Sequence, residues 1–510
     1  MWATLVGLAV IPAIQVGIGL HKVMARFGTK CFVWALSACA IGLAWYGARQ
    51  SDNAQKVAEE KQNHLQSVVN DSRVQLIALR KQNDALEKQI ENMLELQLLD
   101  TADQSQRATL LRRIYEAEQV LPSYSLGPFR EPVSLRALQH QLSPGEALLE
   151  YVLSEPSSFV LTVTSTALRI YSLPSGKEIG RDCKQYLREM TKKQTDIALA
   201  RRLYNELVPA TSEVNNASTF FVVPDGELNV LPFAALADAD GKYFVTAKTV
   251  IDVPSGTVLN ILRTRGRNRN RIPYLGVAAW TQTVDTRPWV VRAITGPERS
   301  QLVPLPESKR EIEAAANLLP QPDTLLLGSA ATRTKSLSLP LAQYDVLHLS
   351  LHGYADMEFP DRSALVFAPA PQLDDSGFLQ ARDIRRLRLN ARLVTLSACN
   401  TAAGPIYGSG SATIVNAFIE AGAQSVVSTL WDVDDRSGRK LIESFYRYLA
   451  EGRGRAEALR QATLEFVNSG QPPYYWANFE IVGDAVEPLY SERTFAEIPA
   501  RSDHPNGRRL

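Results

Sequence analysis

Two stretches of the chain decide its fold: YDVLHLSLHGYAD at residues 344–356 and ARLVTLSACNTAAG at residues 391–404. Each is an apolar, β-prone run that ends in a reactive side chain followed by small residues. Continuously apolar runs of this length are typical of parallel strands that helices cover on both faces. We therefore expect two neighbouring strands of a parallel sheet, with His352 and Cys399 at one edge of that sheet.

Similar short runs alternate with amphipathic helical patterns over residues 130–488. Predicted strands cover 148–153, 158–164, 219–224, 274–280, 323–328, 345–353, 393–399, 425–431 and 479–483. Predicted helices cover 308–319, 411–421, 436–450 and 455–467. This alternation predicts an α/β fold with a mostly parallel sheet. We expect a smaller half at 130–270 and a half with the chemistry at 271–488, and an exposed basic loop at 263–271, RTRGRNRNR.

The residues at the two strand ends suit nucleophilic catalysis. A thiol is mostly protonated at neutral pH, and a neighbouring imidazole can take its proton to make the attacking thiolate. Cys399 is then the candidate nucleophile and His352 the candidate base. The backbone N–H groups of Gly353 and Cys399 are candidates for binding the oxyanion of a tetrahedral intermediate. By contrast, His348 within the apolar run is expected to be an ordinary hydrogen-bonded core histidine.

The N-terminus predicts a membrane anchor at residues 1–49. Two apolar runs, 2–20 and 31–48, are each just long enough to span a bilayer as a helix, so the anchor has one or two spans. The basic residues on the two flanks of the second run balance, so the orientation stays open. We expect a bacterial inner or plasma membrane, with the face that carries the remaining domains undetermined.

A coiled-coil helix is predicted at residues 50–122, a stretch free of Pro and Gly until its end. Apolar residues follow a 3-4 spacing at Leu65, Val69, Leu76, Leu79, Leu86, Ile90 and Met93. Asn83 falls at an a position, where a buried asparagine favours a parallel two-stranded coil. We expect a homodimer through this helix; the alternative is a single helix folded back on the following domain.

The composition limits the classes of partner and cofactor that we expect. Lys plus Arg (55) nearly equals Asp plus Glu (54), so no global charge indicates nucleic acid as a partner. Six scattered histidines and four cysteines predict neither a metal cluster nor a disulfide framework, and no cofactor is expected. The polar segment 489–510 is predicted to be a disordered tail.

Several segments together resemble the CHAT protease domain, a family grouped with caspases, metacaspases and separase. The two deciding stretches carry this resemblance together with four other segments: FFVVPDGELNVLPFAAL (220–236), DDSGFLQARDI (374–384), GSGSATIVNAFIEAGAQSVVSTLWDVDD (408–435) and YYWANFEIVG (474–483). The resemblance implies a caspase-like α/β/α sandwich, peptide-bond hydrolysis, His352 as general base and Cys399 as nucleophile. Many family members carry tetratricopeptide repeats, but no repeat of about 34 residues is evident in this sequence.

The resemblance also implies a substrate pocket. Residues 428–436, STLWDVDDR, are similar to the separase segment in which an acidic residue selects arginine before the cleaved bond. Asp432 matches that position best, with Asp434 and Asp435 beside it. A carboxylate pairs well with a guanidinium through two hydrogen bonds. The alternative is that these acids open the helix that follows, where negative charge suits the helix dipole.

Together these features predict a membrane-tethered cysteine endopeptidase that cleaves a specific protein partner after a basic residue. The main alternative is a membrane-anchored caspase-like scaffold that binds peptides without cutting them. A third hypothesis is a hydrolase of small esters or amides, since an α/β sheet alone does not fix the reaction.

Overall fold

The computed structural model describes residues 132–265, 272–279, 305–354, 363–369, 377–397, 414–431 and 435–490. The predicted membrane anchor at 1–49 and coiled coil at 50–122 lie outside these residues. Among the described helices, none has both the length and the apolar character needed to cross a bilayer. Leu489 is fully buried and the Tyr490 hydroxyl donates to the Pro273 carbonyl at 3.2 Å, so the folded part extends to residue 490.

The strands, in chain order, are β1 Glu146–Val152, β2 Ser158–Val163, β3 Leu168–Leu173, β4 Thr219–Val223, β5 Thr249–Asp252, β6 Ile272–Ala278, β7 Asp323–Leu327, β8 Tyr344–Ser350, β9 His352–Tyr354, β10 Ala364–Val366, β11 Phe378–Gln380, β12 Leu393–Leu396, β13 Ser425–Thr429 and β14 Phe479–Gly483.

The helices are α1 Leu135–Gln141, α2 Gly176–Thr191, α3 Ile197–Leu207, α4 Ser212–Asn216, α5 Phe244–Ala247, α6 Gly256–Thr264, α7 Ser308–Leu318, α8 Arg333–Leu337, α9 Ala381–Ile384, α10 Ile414–Ala421, α11 Asp435–Ala450 and α12 Arg455–Asn468. Local sequence explains their starts. At α2, for example, the Ser175 side chain accepts from the Glu178 N–H while the Glu178 carboxylate accepts from the Ser175 N–H, a reciprocal cap.

Eleven of these strands form one sheet in the order β3-β2-β1-β4-β5-β14-β13-β12-β8-β6-β7. Strands β1, β4, β5 and β14 run parallel to one another, and so do β13, β12, β8, β6 and β7. The two parallel blocks meet where β13 and β14 pair antiparallel. The predicted α/β class with a large, mostly parallel sheet is therefore confirmed. The division near residue 270 stays a prediction, since strands from both sides of it belong to this one sheet.

The core of the second block lies between its strands and the pair α7 and α11, which pack against each other. β8 is buried along its whole length, as its continuous apolar pattern predicts. Packing explains why residue 276 in β6 is glycine: a Cβ there would lie 2.5 Å from Ile312 Cγ2 of α7. The close approach of α7 to the sheet therefore requires glycine at this position.

Two sequence predictions need correction. The run 345–353 is not one strand: β8 ends at Ser350, and β9 pairs instead with β10 in a separate three-stranded antiparallel sheet, β11-β10-β9. Arg263 is not part of an exposed loop, because it lies in the last turn of α6 and its side chain is only 11% exposed. Its guanidinium forms ion pairs with Glu146 and Asp484, which hold it inside the fold.

Candidate active site

His352 begins β9, two residues after the end of β8. It is partly exposed and lies opposite Val366 of β10, while Gly353 lies opposite Leu365. The short antiparallel sheet therefore fixes the backbone that carries the imidazole. His352 is therefore held by its backbone while its side chain is not fully buried.

The end of β12 lies beside the end of β8. Leu396 is paired with Leu349, and the Ser397 N–H donates to the Leu349 carbonyl at 3.1 Å. This pairing joins residues 47 positions apart, the same separation as between His352 and Cys399. In sequence, each of these two residues thus follows the last paired row by three positions. Cys399 itself lies outside the described residues.

A buried polar cluster lies beneath this edge, and we name it the Glu311 cluster: Tyr274, His348, Glu311 and Ser397. The Tyr274 hydroxyl is 2.9 Å from His348 Nδ1, and His348 Nε2 is 3.0 Å from Glu311 Oε1. The Ser397 hydroxyl donates to Glu311 Oε2 at 3.0 Å. His348 is fully buried and Glu311 is 3% exposed, so these bonds lie in the core.

One assignment of protons satisfies every bond in the Glu311 cluster. In this assignment the Tyr274 hydroxyl donates to His348 Nδ1, and His348 Nε2–H donates to the Glu311 carboxylate. Ser397 donates to the second carboxylate oxygen. The carboxylate is thus held by a side chain of β8 and by the residue that follows β12. It also lies in the first turn of α7, where the helix dipole favours negative charge.

A second pair packs on this cluster. The Tyr446 ring of α11 stacks on His348 with the ring centres 5.1 Å apart, and its hydroxyl lies 2.9 Å from Thr395 Oγ1. Burial raises the pKa of both Tyr274 and Tyr446 well above the ordinary tyrosine value, and Glu311 adds to this rise. Both phenols therefore stay protonated at any physiological pH.

Of the three candidate pocket acids, the structure describes Asp435, while Asp432 and Asp434 lie outside the described residues. Asp435 is the first residue of α11, and its Oδ2 accepts the backbone N–H of Glu307 at 2.8 Å. That bond anchors the start of α11 to the residue before α7. Asp435 therefore has a structural role, and contact with a substrate stays a prediction for all three acids.

Cys183, the one cysteine among the described residues, differs from a nucleophile in every respect. It is fully buried in α2, and burial raises the pKa of its thiol to about 12. A thiol in this environment stays protonated and inert at neutral pH. Within the described ranges, no three potential metal ligands come together.

Sequence reasoning missed most of the Glu311 cluster. His348 was predicted to be a hydrogen-bonded core histidine, which agrees with its bonds, but Glu311, Tyr274 and Ser397 were not singled out. A signal for Glu311 exists in the sequence. It lies on the apolar face of the predicted helix 308–319, next to Ile312 and four residues before Ala315, where a charged residue requires a buried partner.

Comparison with known families now identifies the fold. A model of the CHAT domain matches residues 198–484, more than half of the 510 residues. The chain belongs to the CHAT domain family. The matched range includes both strand ends, His352, Cys399 and the Glu311 cluster, so these all lie within the CHAT domain.

Relatives of this CHAT domain include tetratricopeptide repeat protein 28 of Mus musculus, which is 26% identical over 322 residues. The same protein of Homo sapiens is 25% identical over 322 residues. Each alignment covers 55% of this chain but 13% of the mouse protein and 12% of the human one. The chain therefore spans a small part of these relatives.

Solved structures similar to the chain include two cysteine proteases. The separase–securin complex of Saccharomyces cerevisiae aligns with a TM-score of 0.46 and 10% identity, over 81% of this chain and 37% of that one. The Arg-specific cysteine proteinase gingipain R aligns with a TM-score of 0.35 and 10% identity, over 61% of this chain and 74% of that one.

Proposed function

We propose that the chain is a membrane-tethered cysteine endopeptidase with a caspase-like α/β/α sandwich, in which His352 is the general base and Cys399 the nucleophile. The observation that carries the proposal is the pairing of β8 with β12. It brings together the ends of the two strands whose next reactive residues are this histidine and this cysteine. Membership of the CHAT domain family supports the same assignment.

The proposed reaction follows from these two side chains. His352 takes the thiol proton, and the Cys399 sulfur attacks the carbonyl carbon of the substrate peptide bond. The negative charge on the carbonyl oxygen is bound by the N–H groups of Gly353 and Cys399. The imidazolium gives its proton to the leaving amine, and an acyl-enzyme remains. Water, deprotonated by the same imidazole, then releases the acid product and restores the thiol.

The remaining features complete the proposal. Asp432, with Asp434 and Asp435 beside it, selects arginine or lysine before the cleaved bond, because a carboxylate binds a cationic side chain strongly in a narrow pocket. The apolar segment 1–49 anchors the chain to a bacterial membrane, and the helix at 50–122 pairs two copies. The substrate is a specific protein that reaches this anchored dimer.

Peptide cleavage by the full-length protein in detergent or vesicles tests the proposal. We expect turnover of fluorogenic peptides that end in Arg or Lys, and a loss of about 1,000-fold or more in Cys399→Ala and in His352→Ala. Cys183→Ala is the matched control, because that buried thiol has a pKa of about 12, and it should retain activity. Equal turnover in Cys399→Ala and wild type would exclude the thiol mechanism.

Specificity is tested separately. Asp432→Ala is expected to lower kcat/KM for Arg peptides by about 100-fold relative to peptides with Leu at the same position, since it removes a charged hydrogen-bond partner. An unchanged Arg-to-Leu ratio would show that the pocket acid is another residue, while leaving the assignment of His352 and Cys399 intact.

A further inference from the structure

The Glu311 cluster contacts the chain that leads to Cys399 through Ser397. Ser397 comes one residue after β12 and two residues before Cys399. Its N–H is bonded to the Leu349 carbonyl and its hydroxyl to Glu311 Oε2. Both its backbone and its side chain are thus anchored at the point where β12 stops pairing with β8.

We propose that the Glu311 cluster is a positioning device for the nucleophile: the Glu311 carboxylate holds Ser397, the residue two positions before Cys399. This inference rests on the proposed function. Glu311, His348 and Ser397 are positioning residues, since each acts on the reaction through the anchoring of Ser397 and not by contact with the substrate.

The geometry of the carboxylate supports this role. Oε1 is held by His348, whose other ring nitrogen is held by Tyr274, and the His348 ring is stacked against Tyr446. Both ring nitrogens and one ring face of the imidazole therefore have fixed partners. Oε2 points to Ser397 at 3.0 Å. A carboxylate fixed in this way presents its second oxygen in one direction, so the bond to Ser397 is directional as well as charge-assisted.

The register of the paired strands adds a second argument. It places His348 opposite Thr395, so these two residues share a row of the sheet. Ser350 ends β8, and Ser397 follows β12 by one residue. The bond from the Ser397 N–H to the Leu349 carbonyl continues the pairing of the two strands to this residue. A hydroxyl held at Ser397 therefore fixes the last described residue before Cys399.

The burial pattern distinguishes this bond from ordinary core packing. Glu311 and His348 are buried, whereas Ser397 is partly exposed. Stability alone gives little reason for a buried carboxylate to extend to a partly exposed serine, since water solvates such a hydroxyl nearly as well. The consequence of the bond is therefore expected mainly in the reactivity of Cys399.

The test measures Cys399 directly in the full-length protein. Peptide-resolved mass spectrometry follows alkylation of Cys399 by iodoacetamide from pH 5 to pH 10, beside kcat and KM for an Arg peptide. We expect Ser397→Ala to slow alkylation at pH 7 by about tenfold and to shift its pH midpoint toward that of a free thiol, because the thiol loses its alignment with the imidazole. The same variant should lose about tenfold in kcat with little change in KM.

Two further variants separate positioning from stability. Ser397→Thr keeps the hydroxyl and should restore both the alkylation profile and kcat. Thr395→Val removes the bond to the Tyr446 hydroxyl, which lies in the same layer of the same strand but does not connect to Ser397. It should match Ser397→Ala in urea midpoint or be less stable, yet alkylate Cys399 as wild type does.

The outcomes are distinct from those that test the proposed function. Wild-type alkylation in Ser397→Ala, or equal slowing in Thr395→Val, overturns the positioning role even if the protein cleaves peptides. Conversely, a shifted alkylation profile in Ser397→Ala, rescued by Ser397→Thr, supports positioning even if no peptide is cleaved. Absence of cleavage in wild type with a normal alkylation profile counts against the endopeptidase alone.

Discussion

Two buried polar clusters lie on the same large sheet but differ in how their charged groups are paired. The Glu311 cluster lies under the candidate site and consists of one carboxylate held by an imidazole and a hydroxyl. The second, which we name the Arg263 cluster, consists of Glu146, Arg263, Gln424, Arg455 and Asp484 and links the two parallel blocks of the sheet.

In the Arg263 cluster, opposite charges balance. The Arg263 guanidinium binds Glu146 with two hydrogen bonds of 2.7 and 2.9 Å, and its Nε lies 3.4 Å from Asp484 Oδ1. Arg455, fully buried, donates to the Asp484 carbonyl at 2.7 Å and to the Gln424 side chain at 3.2 Å. The Arg263 guanidinium thus faces two carboxylates, and the Arg455 guanidinium binds a backbone carbonyl and an amide oxygen, across elements that are far apart in sequence.

The difference indicates what each cluster does. A balanced, bidentate ion-pair network fixes the relative position of the elements that it joins, and removal of one partner leaves a buried charge without compensation. A single carboxylate held by neutral donors retains its charge and a fixed orientation, and so can act on a neighbouring group. We therefore expect mutations in the Arg263 cluster to affect mainly stability and mutations in the Glu311 cluster to affect mainly reactivity.

The largest effect on stability is expected from Arg263→Ala. It leaves Glu146 and Asp484 buried without this cation, which should lower the free energy of unfolding by about 3–5 kcal/mol. Urea denaturation followed by fluorescence measures this change. Arg169→Ala is the matched control: Arg169 pairs with Glu213 at 3.6 Å on the surface and should cost under about 0.5 kcal/mol. A loss of similar size in both variants would contradict the assigned role of the Arg263 cluster.

An intermediate, pH-dependent effect is expected from Glu480→Gln. Glu480 and Asp252 line a cavity of about 40 Å³ between the sheet and α12. Burial raises the pKa of Glu480 to about 7 from an ordinary value of 4.5, while the Ser428 hydroxyl, 3.0 Å away, opposes the rise. Burial and the charge of Glu480 also raise the pKa of Asp252.

The sign of the effect follows from these shifts. Between about pH 4.5 and pH 7 the folded state keeps a proton that the unfolded chain releases, so wild-type stability falls as the pH rises through this window. Glu480→Gln removes the part of this decline that comes from Glu480 and should raise the free energy of unfolding by about 1–3 kcal/mol at pH 8, with little change at pH 4. Urea midpoints at the two pH values measure the difference; an equal offset at both would exclude titration of this carboxyl as the cause.

The smallest effect is expected from Tyr446→Phe, which separates the contribution of packing against the Glu311 cluster from that of hydrogen bonding. The ring that stacks on His348 remains, and only the hydroxyl that meets Thr395 is lost. We expect a loss of about 1 kcal/mol in unfolding free energy and no change in the pH profile of Cys399 alkylation. A shifted profile would show that the positioning role extends to Tyr446.

Much of the fold could be predicted because the buried face of a helix or strand appears in the sequence as a periodic pattern of apolar residues. The apolar run 345–353 indicates β8, and the helix predicted at 455–467 agrees with α12 to within one residue. β3 was missed because it is an edge strand of the sheet and mostly exposed, with Ile170 at 61% exposure, so its pattern lacks a buried face. The order of the strands in the sheet could not be predicted from local sequence patterns either, because β14 pairs with strands distant in sequence.

The candidate site was predictable in part. Residue type and spacing put His352 and Cys399 after two β-prone runs, and the structure pairs the strands in those runs, β8 and β12. His352 itself begins β9 and Cys399 lies outside the described residues, so the catalytic pair stays a prediction. The partners of Glu311 could not be inferred, because they depend on how α7 lies across β6, β8 and β12 in three dimensions. Arg263 shows the same limit: the sequence around it suggests a solvated loop, whereas its ion pairs depend on residues more than 100 positions away.

The position of β14 has a consequence for synthesis on the ribosome. This strand fills the place between β5 and β13, so the sheet stays divided into two pieces until residues 479–483 have left the exit tunnel. Until then β13 has an unpaired edge that attracts other extended chains. We expect nascent chains stalled before residue 479 to be held by chaperones, and full-length chains to be released from them.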